Sequence, residues 1–225
     1  MSPYFRSIRV SFIITMPIMT SPNSLPEIWL IRHGETAWSL SGQHTGRTDI
    51  PLTAAGERHA AEIGRYLGGR SFALVLTSPL QRARETCRLA GYGGVAQFDP
   101  DLCEWDYGAY EGRTSAQIQE KAPGWTIWTS PVPQGETIGQ VAVRASRVIE
   151  RACQASGDVA LFAHGHLLRV LTACWLGQPP GAGKFYALGT ASISVLGYER
   201  ETRVISQWNL PARSILEWRG HANGM

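Results

Sequence analysis

Short apolar runs alternate with longer amphipathic stretches along this chain. Residues 27–32 (EIWLIR), 72–77 (FALVLT) and 158–164 (DVALFAH) are almost continuously apolar, which predicts strands buried on both faces. Residues 191–198 and 202–208 have the pattern of a terminal hairpin. The runs therefore predict a sheet whose faces are covered by other elements.

Four stretches carry apolar residues at helical spacing, and two of them have clear boundary signals. Thr53 precedes the first and a glycine at 68 closes it, while Ser-Pro at 78–79 opens the second. The other two lie at 138–155 and about 166–176. Strands that alternate with helices predict a three-layer α/β fold: a mostly parallel mixed sheet with helices on both faces.

One stretch interrupts this alternation. Residues 105–137 hold three tryptophans, several prolines and glycines, and little periodicity. We interpret them as a flap over the sheet, inserted within a single domain at 27–208, and residues 209–225 as a short C-terminal tail. The tryptophan-rich segments, if exposed, would allow a homodimer.

The first 26 residues have the outline of a signal peptide, with two arginines followed by a short apolar run. Polar residues and a proline interrupt that run, and no A-x-A cleavage site follows. Met16 and Met19 offer alternative starts. We interpret 1–26 as a leader that is disordered or precedes the true start, with export as the alternative, and expect a cytoplasmic protein.

Composition excludes several classes of protein. Hydrophobic residues make up 44% of the 225 and charged residues only 17%, so intrinsic disorder is excluded. The net charge of +3 comes from scattered arginines, which predicts a local anion site and no nucleic-acid partner. The four cysteines form no CxxC pair, which is typical of a reduced compartment. No run is long enough to cross a membrane, so no membrane partner is expected.

Charged side chains cluster at the ends of the predicted strands. Arg32 and His33 follow the first strand, Arg82 lies in the helix after the second, and His164 closes the 158–164 run. Glu104 ends the short segment DLCE. Ligands of open α/β sheets bind at this edge. Two arginines, two histidines and a carboxylate together indicate a site for a dianion such as phosphate.

Each of these residue types can perform a different role in phosphoryl transfer. An arginine fork matches phosphate oxygens in pairs, and a protonated histidine adds a further positive charge. A second, neutral histidine can attack phosphorus, and a carboxylic acid can protonate the leaving alkoxide. Because the cationic side chains stabilise the transferring group, we expect no metal ion and no other cofactor.

Each of these side chains, taken alone, also fits another role. Arg82 could belong to a solvated helix face, and Glu104 could be an ordinary loop carboxylate. His33, His164 and His166 could ligate a metal ion, although nearby arginines would repel it. His164 and His166 point to opposite sides if the strand continues, so only one of them is expected to be functional.

The ordered set RHG, SPLQRARET, DLCEWDYGAYEG and HGH resembles the histidine phosphatase superfamily, also called phosphoglycerate mutase-like, over about residues 27–208. RHG alone is a weak signal, but the ordered set is highly specific. The resemblance implies that His33 becomes a phosphohistidine and that Glu104 is the proton donor. The rest of the implied phosphate pocket is Arg32, Arg82 and His164.

Longer strings resemble one subgroup, which contains bacterial cofactor-independent acid phosphatases and sugar-bisphosphatases of the sedoheptulose type. These strings are WSLSGQHTGRTDIPLT (38–53), EWDYGAYEG (104–112), PQGET (133–137) and TASIS (190–194). The resemblance implies a set of substrate-binding residues: Ser39, His44, Thr45, Trp105, Tyr107 and Gly165.

Three positions depart from the mutases of this superfamily. Ser39 and His166 stand where mutases carry asparagine, and Ser115 stands where they carry lysine. We therefore expect a metal-independent phosphatase that hydrolyses small phosphomonoesters, its partner being a small phosphorylated metabolite. A phosphoglycerate mutase and a catalytically inactive phospho-ligand-binding protein are the alternatives.

Overall fold

The structure, a computed structural model, describes residues 25–212, and one sheet organises them. Its strands stand in the order β3-β2-β4-β1-β5-β6. The pairs β3/β2, β2/β4 and β4/β1 are parallel, whereas β1/β5 and β5/β6 are antiparallel. The strands are β1 (Ile28–Arg32), β2 (Leu74–Thr77), β3 (Gln97–Phe98), β4 (Val159–Ala163), β5 (Ser192–Glu199) and β6 (Thr202–Pro211).

The helices begin and end mostly where local signals place them. Thr53 accepts a hydrogen bond from the Gly56 amide at the start of α2, and Gly68 ends that helix with a φ of 58°. Thr137 forms a capping box with Gln140 at the start of α5. The helices are α1 (Ala37–Ser41), α2 (Ala54–Leu67), α3 (Gln81–Leu89), α4 (Ser115–Gln119), α5 (Ile138–Cys153) and α6 (Gly165–Trp175).

Alternate strand residues pack against the two helical layers, which confirms the predicted three-layer α/β fold. Leu30 and Leu161 belong to the core shared with α5 and α6. Ile31 and Phe162 belong to the core shared with α2 and α3. Both cores are apolar because both faces of the sheet are covered.

The predicted flap at 105–137 packs into the core on the α5 and α6 side. Trp105 and Trp125 are 1% and 4% exposed, and Ile127 is also buried. Trp128, the third tryptophan of the flap, is partly buried. None of the three is fully exposed, and the homodimer stays a prediction.

Two predicted boundaries need correction, and part of the chain lies outside the description. Strand β6 continues to Pro211, so the first residues assigned to the tail belong to the sheet. Helix α3 begins at Gln81, not at Ser78. The predicted leader lies almost wholly outside residues 25–212, as does most of the predicted tail. Within 25–212, no helix is long and apolar enough to cross a bilayer.

Candidate active site

Three neighbouring parallel strands end together and place the key side chains at one edge of the sheet. Arg32 of β1 pairs with Ala163 of β4, and Thr77 of β2 pairs with Phe162. The residues that follow these strand ends are His33, Ser78 and His164. The predicted convergence of the strand-end residues is therefore present in the structure.

A cavity of about 440 Å³ opens at this edge. Arg32, His33 and Glu104 line it, and so do five of the six residues expected on the substrate side: Ser39, His44, Thr45, Tyr107 and Gly165. Arg82 and His164 are fully buried next to His33. Trp105 does not line the cavity, because its ring is buried and its Nε1 donates to the Glu136 carbonyl at 2.8 Å.

His33 is held as a neutral imidazole with one free nitrogen. Its Nδ1 lies 2.7 Å from the carbonyl oxygen of Gly34, and a carbonyl only accepts, so Nδ1 carries the proton. The lone pair is therefore on Nε2. Burial, and then the charges of Arg32 and Arg82, lower the pKa of His33 well below its usual range. The nucleophile stays neutral at acidic pH.

His164 is also neutral, which corrects the expectation of a protonated histidine. Arg82 Nε, which can only donate, lies 3.2 Å from His164 Nδ1, so that nitrogen is unprotonated. His164 Nε2 then donates to the Ser78 hydroxyl at 2.8 Å. Burial, followed by the charge of Arg82, lowers the pKa of His164 well below its usual range. The sequence indicated Ser78 only as a helix opener.

The two buried guanidiniums differ in how many of their donors are already used. Arg32 donates from Nη1 to the Leu188 carbonyl, while its Nε is buried and has no hydrogen-bond partner within residues 25–212. Arg82 donates to His164 and to three backbone carbonyls. A buried N–H without an acceptor is costly, so an anion that accepts from Arg32 Nε relieves that cost.

Glu104 faces the cavity at the start of α6. Its Oε1 accepts from the amides of Trp105 and Leu167, both at 2.9 Å, and its Oε2 accepts from the amide of His166 at 3.0 Å. These contacts fix the carboxyl group against the helix N-terminus. Because Oε2 carries a single hydrogen bond, it is the oxygen with room for a transferable proton.

His166 lines the cavity, whereas His164 is fully buried beside His33. The expectation that only one histidine of HGH is functional stays a prediction. Strand β4 ends at Ala163 and α6 begins at Gly165, so strand alternation does not apply to this pair. His166 Nδ1 lies 2.6 Å from the Tyr107 hydroxyl. The repeated histidine was the only signal for it in the sequence. The same wall contains other residues that sequence reasoning did not place there: Gln119, Trp125, Trp128 and Arg169.

Clusters of metal ligands and disulfide bonds are both absent from the part of the chain between residues 25 and 212. In that range, no group of three His, Cys, Asp or Glu side chains is arranged to hold a metal ion. The alternative of metal ligation by His33, His164 and His166 therefore has no support in this geometry. All four cysteines are free thiols.

The profile of the Histidine phosphatase superfamily (branch 1) matches residues 28–211. The chain belongs to this superfamily. An acid phosphatase of Mycobacterium tuberculosis is 40% identical over 79% of this chain and 89% of its own length. A sedoheptulose 1,7-bisphosphatase of Saccharomyces cerevisiae is 37% identical over 69% of each chain.

Solved structures of histidine phosphatases support the same fold. The structure of an open reading frame product of Mycobacterium tuberculosis has a TM-score of 0.79 and 39% identity, covering 83% of this chain and 98% of that one. Probable phosphoglycerate mutases are also similar, at 28–31% identity. The relatives of this histidine phosphatase thus include both phosphatases and probable mutases.

The buried histidines make the stability of this histidine phosphatase sensitive to acid. Burial lowers the pKa of His44 to about 4, and those of His33, His164 and His166 lie well below the usual value. Below about pH 6.5 the unfolded chain gains protons that the folded chain does not bind. We therefore expect the free energy of unfolding to fall as the pH is lowered below about 6.5. For His44 the limiting slope is about 1.4 kcal/mol per pH unit, until the pH reaches its pKa of about 4.

Urea unfolding at pH 7 and pH 5 measures this effect, and a variant without one of these histidines provides the comparison. In His44→Gln the loss of stability between the two pH values is expected to be smaller than in the wild type. A free energy of unfolding that stays constant or rises toward pH 5 would show that these histidines are not buried in the neutral form.

Gly165 is the first residue of α6, and the Arg32 guanidinium lies where a side chain at this position would be. A Cβ atom at this position would lie 3.1 Å from Arg32 Cζ and 3.2 Å from Arg32 Nε. We expect Gly165→Ala to displace the guanidinium and to weaken phosphate binding by about ten- to a hundredfold, the value of a charge-assisted hydrogen bond.

Titration calorimetry with inorganic phosphate tests this expectation. Gly139→Ala in α5 is the matched control, because the nearest atom to its Cβ is 3.9 Å away. Unchanged phosphate affinity in Gly165→Ala, at unchanged stability, would mean that Arg32 does not bind the phosphoryl group.

Proposed function

We propose that this chain is a metal-independent phosphatase that hydrolyses small phosphomonoesters through a phosphohistidine at His33. The observation that carries the proposal is the state of His33: its Nδ1 is bound to the Gly34 carbonyl, and its ring lies close to the buried charges of Arg32 and Arg82. A neutral nucleophile beside two buried cations is what attack on a phosphate dianion requires.

The first step transfers the phosphoryl group to the protein. The Nε2 lone pair of His33 forms a bond to phosphorus while the bond from phosphorus to the leaving oxygen breaks. Protonated Glu104 donates its proton to that oxygen, and an alcohol leaves. Arg32 and Arg82 stabilise the charge on the phosphoryl oxygens, which is the role that a metal ion has in other phosphoryl-transfer sites.

The second step returns the protein to its starting state. Glu104, now a carboxylate, accepts a proton from water, and the water oxygen attacks phosphorus. The bond from phosphorus to Nε2 breaks, inorganic phosphate leaves, and the lone pair returns to His33. Glu104 is protonated again, so one water is consumed for each phosphate released.

The wall that the flap contributes to the cavity favours hydrolysis over a mutase reaction. Its lining side chains between 115 and 128 are uncharged: Ser115, Gln119, Trp125, Thr126, Ile127 and Trp128. A mutase must hold a second anionic group of a phosphoglycerate while the first is transferred, and these flap side chains offer no cation for it. Arg169, which also lines the cavity, already donates to the carbonyls of Gly183 and Lys184. Hydroxyl, amide and aromatic groups suit the polar and apolar faces of a sugar.

The expected substrate is therefore a small phosphorylated metabolite, and a cavity of about 440 Å³ has room for one. We also propose that the protein is cytoplasmic. The four free thiols support this location, because thiols persist in a reducing compartment.

Phosphate release in the presence of a metal chelator tests the proposed reaction. The wild-type protein is expected to hydrolyse p-nitrophenyl phosphate at the same rate with and without EDTA. With 3-phosphoglycerate and a trace of 2,3-bisphosphoglycerate, it is expected to release phosphate faster than it forms 2-phosphoglycerate.

Two outcomes would contradict the proposal in different ways. A rate that EDTA abolishes and a divalent cation restores would show that the arginines do not replace a metal ion. Isomerisation at least tenfold faster than phosphate release, a difference of about 1.4 kcal/mol in barrier, would identify a mutase.

A further inference from the structure

The guanidinium of Arg82 is held by a short backbone loop at residues 45–48. Its Nη1 donates to the Thr48 carbonyl at 3.0 Å, and its Nη2 donates to the carbonyls of Thr45 and Gly46 at 3.0 and 2.9 Å. Its Nε donates to His164. Of the five N–H groups of Arg82, one on Nη1 is left without a protein acceptor among residues 25–212. The loop therefore decides where that donor points.

The loop is in turn held by a carboxylate of the flap. Glu111 Oε1 accepts from the Gly46 amide at 2.7 Å and from the Thr48 amide at 3.1 Å. The carbonyls of these same two residues bind Arg82. The contacts thus form a continuous chain from Glu111, through the backbones of Gly46 and Thr48, to the guanidinium.

Close packing leaves this loop little freedom to rearrange. A Cβ atom at Gly46 would lie 2.5 Å from the Trp105 carbonyl oxygen and 2.7 Å from Glu111 Oε2. Next to the loop, His44 exchanges backbone hydrogen bonds with the flap, donating to Arg113 and accepting from Gly112, both at 2.9 Å. A shift of the Glu111 carboxylate is therefore passed directly to the loop.

We propose that Glu111 is a positioning residue for Arg82: by binding the amides of Gly46 and Thr48, it sets the carbonyls that orient the guanidinium toward the phosphoryl group. The proposal rests on the proposed function only in taking Arg82 as a phosphate ligand. Glu111 itself contacts no reacting atom. Its effect on phosphate binding must therefore pass through Arg82.

A double-mutant cycle measures this dependence, with inorganic phosphate as the probe in titration calorimetry. Glu111→Ala is expected to weaken phosphate binding about tenfold, because the loop loses its anchor and the guanidinium its orientation. Arg82→Lys keeps the charge but lacks the planar fork. In Arg82→Lys, the further change Glu111→Ala is expected to cost no more than about twofold.

Two further variants separate positioning from general stability and from charge. Glu136 anchors another part of the same flap, accepting from the Asp106 amide and from Arg144 Nε, both at 2.9 Å. If Glu136→Ala weakens phosphate binding, the factor is expected to multiply with that of Arg82→Lys when both substitutions are combined. Glu111→Gln keeps a carbonyl oxygen for both loop amides, and it is expected to recover most of the affinity that Glu111→Ala loses.

Losses that multiply in the Glu111 and Arg82 double variant would overturn the proposal, because Glu111 would then act independently of Arg82. A Glu111→Gln variant as weak as Glu111→Ala would also overturn it, since charge and not loop geometry would be responsible. Phosphate binding is read without turnover. A protein that binds phosphate yet hydrolyses no phosphomonoester would contradict the proposed function while the cycle still decides the role of Glu111.

Discussion

Replacing His33 by alanine is expected to lower the turnover of every phosphomonoester by about 10⁴-fold or more, because the nucleophile and all steps that depend on it are lost together. The fold is expected to survive. The backbone amide of residue 33 still donates to the Ala163 carbonyl, a 3.0 Å bond that the side chain does not make. Loss of turnover with unchanged thermal unfolding is therefore the predicted result.

His59→Ala is the matched control for this substitution. His59 lies on α2 and does not line the cavity, so the control protein is expected to retain wild-type turnover. Substantial hydrolysis of p-nitrophenyl phosphate by His33→Ala would show that another group, or water itself, attacks phosphorus.

Glu104→Gln is expected to have an effect that depends on the leaving group. A sugar alkoxide needs a proton as it leaves, and loss of the acid costs about 10²–10⁴-fold. The p-nitrophenolate ion leaves without one, so its hydrolysis is expected to fall much less. The measurement is kcat/KM for a sugar phosphate and for p-nitrophenyl phosphate, each compared with the wild type.

The same substitution also disturbs the start of α6, and the comparison of substrates removes this contribution. A glutamine at 104 keeps one oxygen for the amides of Trp105 and Leu167, but its NH₂ group faces the His166 amide. That structural cost lowers kcat/KM equally for both substrates. Arg82→Ala is likewise expected to lower kcat/KM equally for both, because Arg82 contacts the phosphoryl group that they share. Equal losses for both substrates in Glu104→Gln would show that Glu104 is not the proton donor.

The elements with local signals could be predicted, while those set by distant contacts could not. Thr53 and Gly68 mark both ends of α2 in the sequence. Helix α3 starts later than predicted because the backbone amide of Ser78 still pairs with β4, donating to the carbonyl of Phe162, 84 residues away. Strand β3 is two exposed residues, Gln97 and Phe98, and has no apolar pattern to reveal it.

The candidate site likewise has one part that the sequence predicts and another part that depends on distant contacts. The five residues predicted to be catalytic follow ordered motifs, and the structure brings all of them to one edge of the sheet. The protonation state of His164 depends on the donor that faces each nitrogen, which no motif encodes. Glu111 acts on backbone amides of a loop 63 and 65 residues away, so no pattern of side chains could have indicated its role.

Trapping of the phosphoenzyme tests the central claim, that the phosphoryl group passes through Nε2 of His33. The wild-type protein is mixed briefly with labelled substrate, quenched in alkali and mapped by mass spectrometry. We predict an acid-labile, alkali-stable phosphohistidine on the peptide that contains His33, substituted at Nε2 because Nδ1 is bound to the Gly34 carbonyl. Label on a different residue, or rapid turnover with no trapped histidine adduct, would contradict the account.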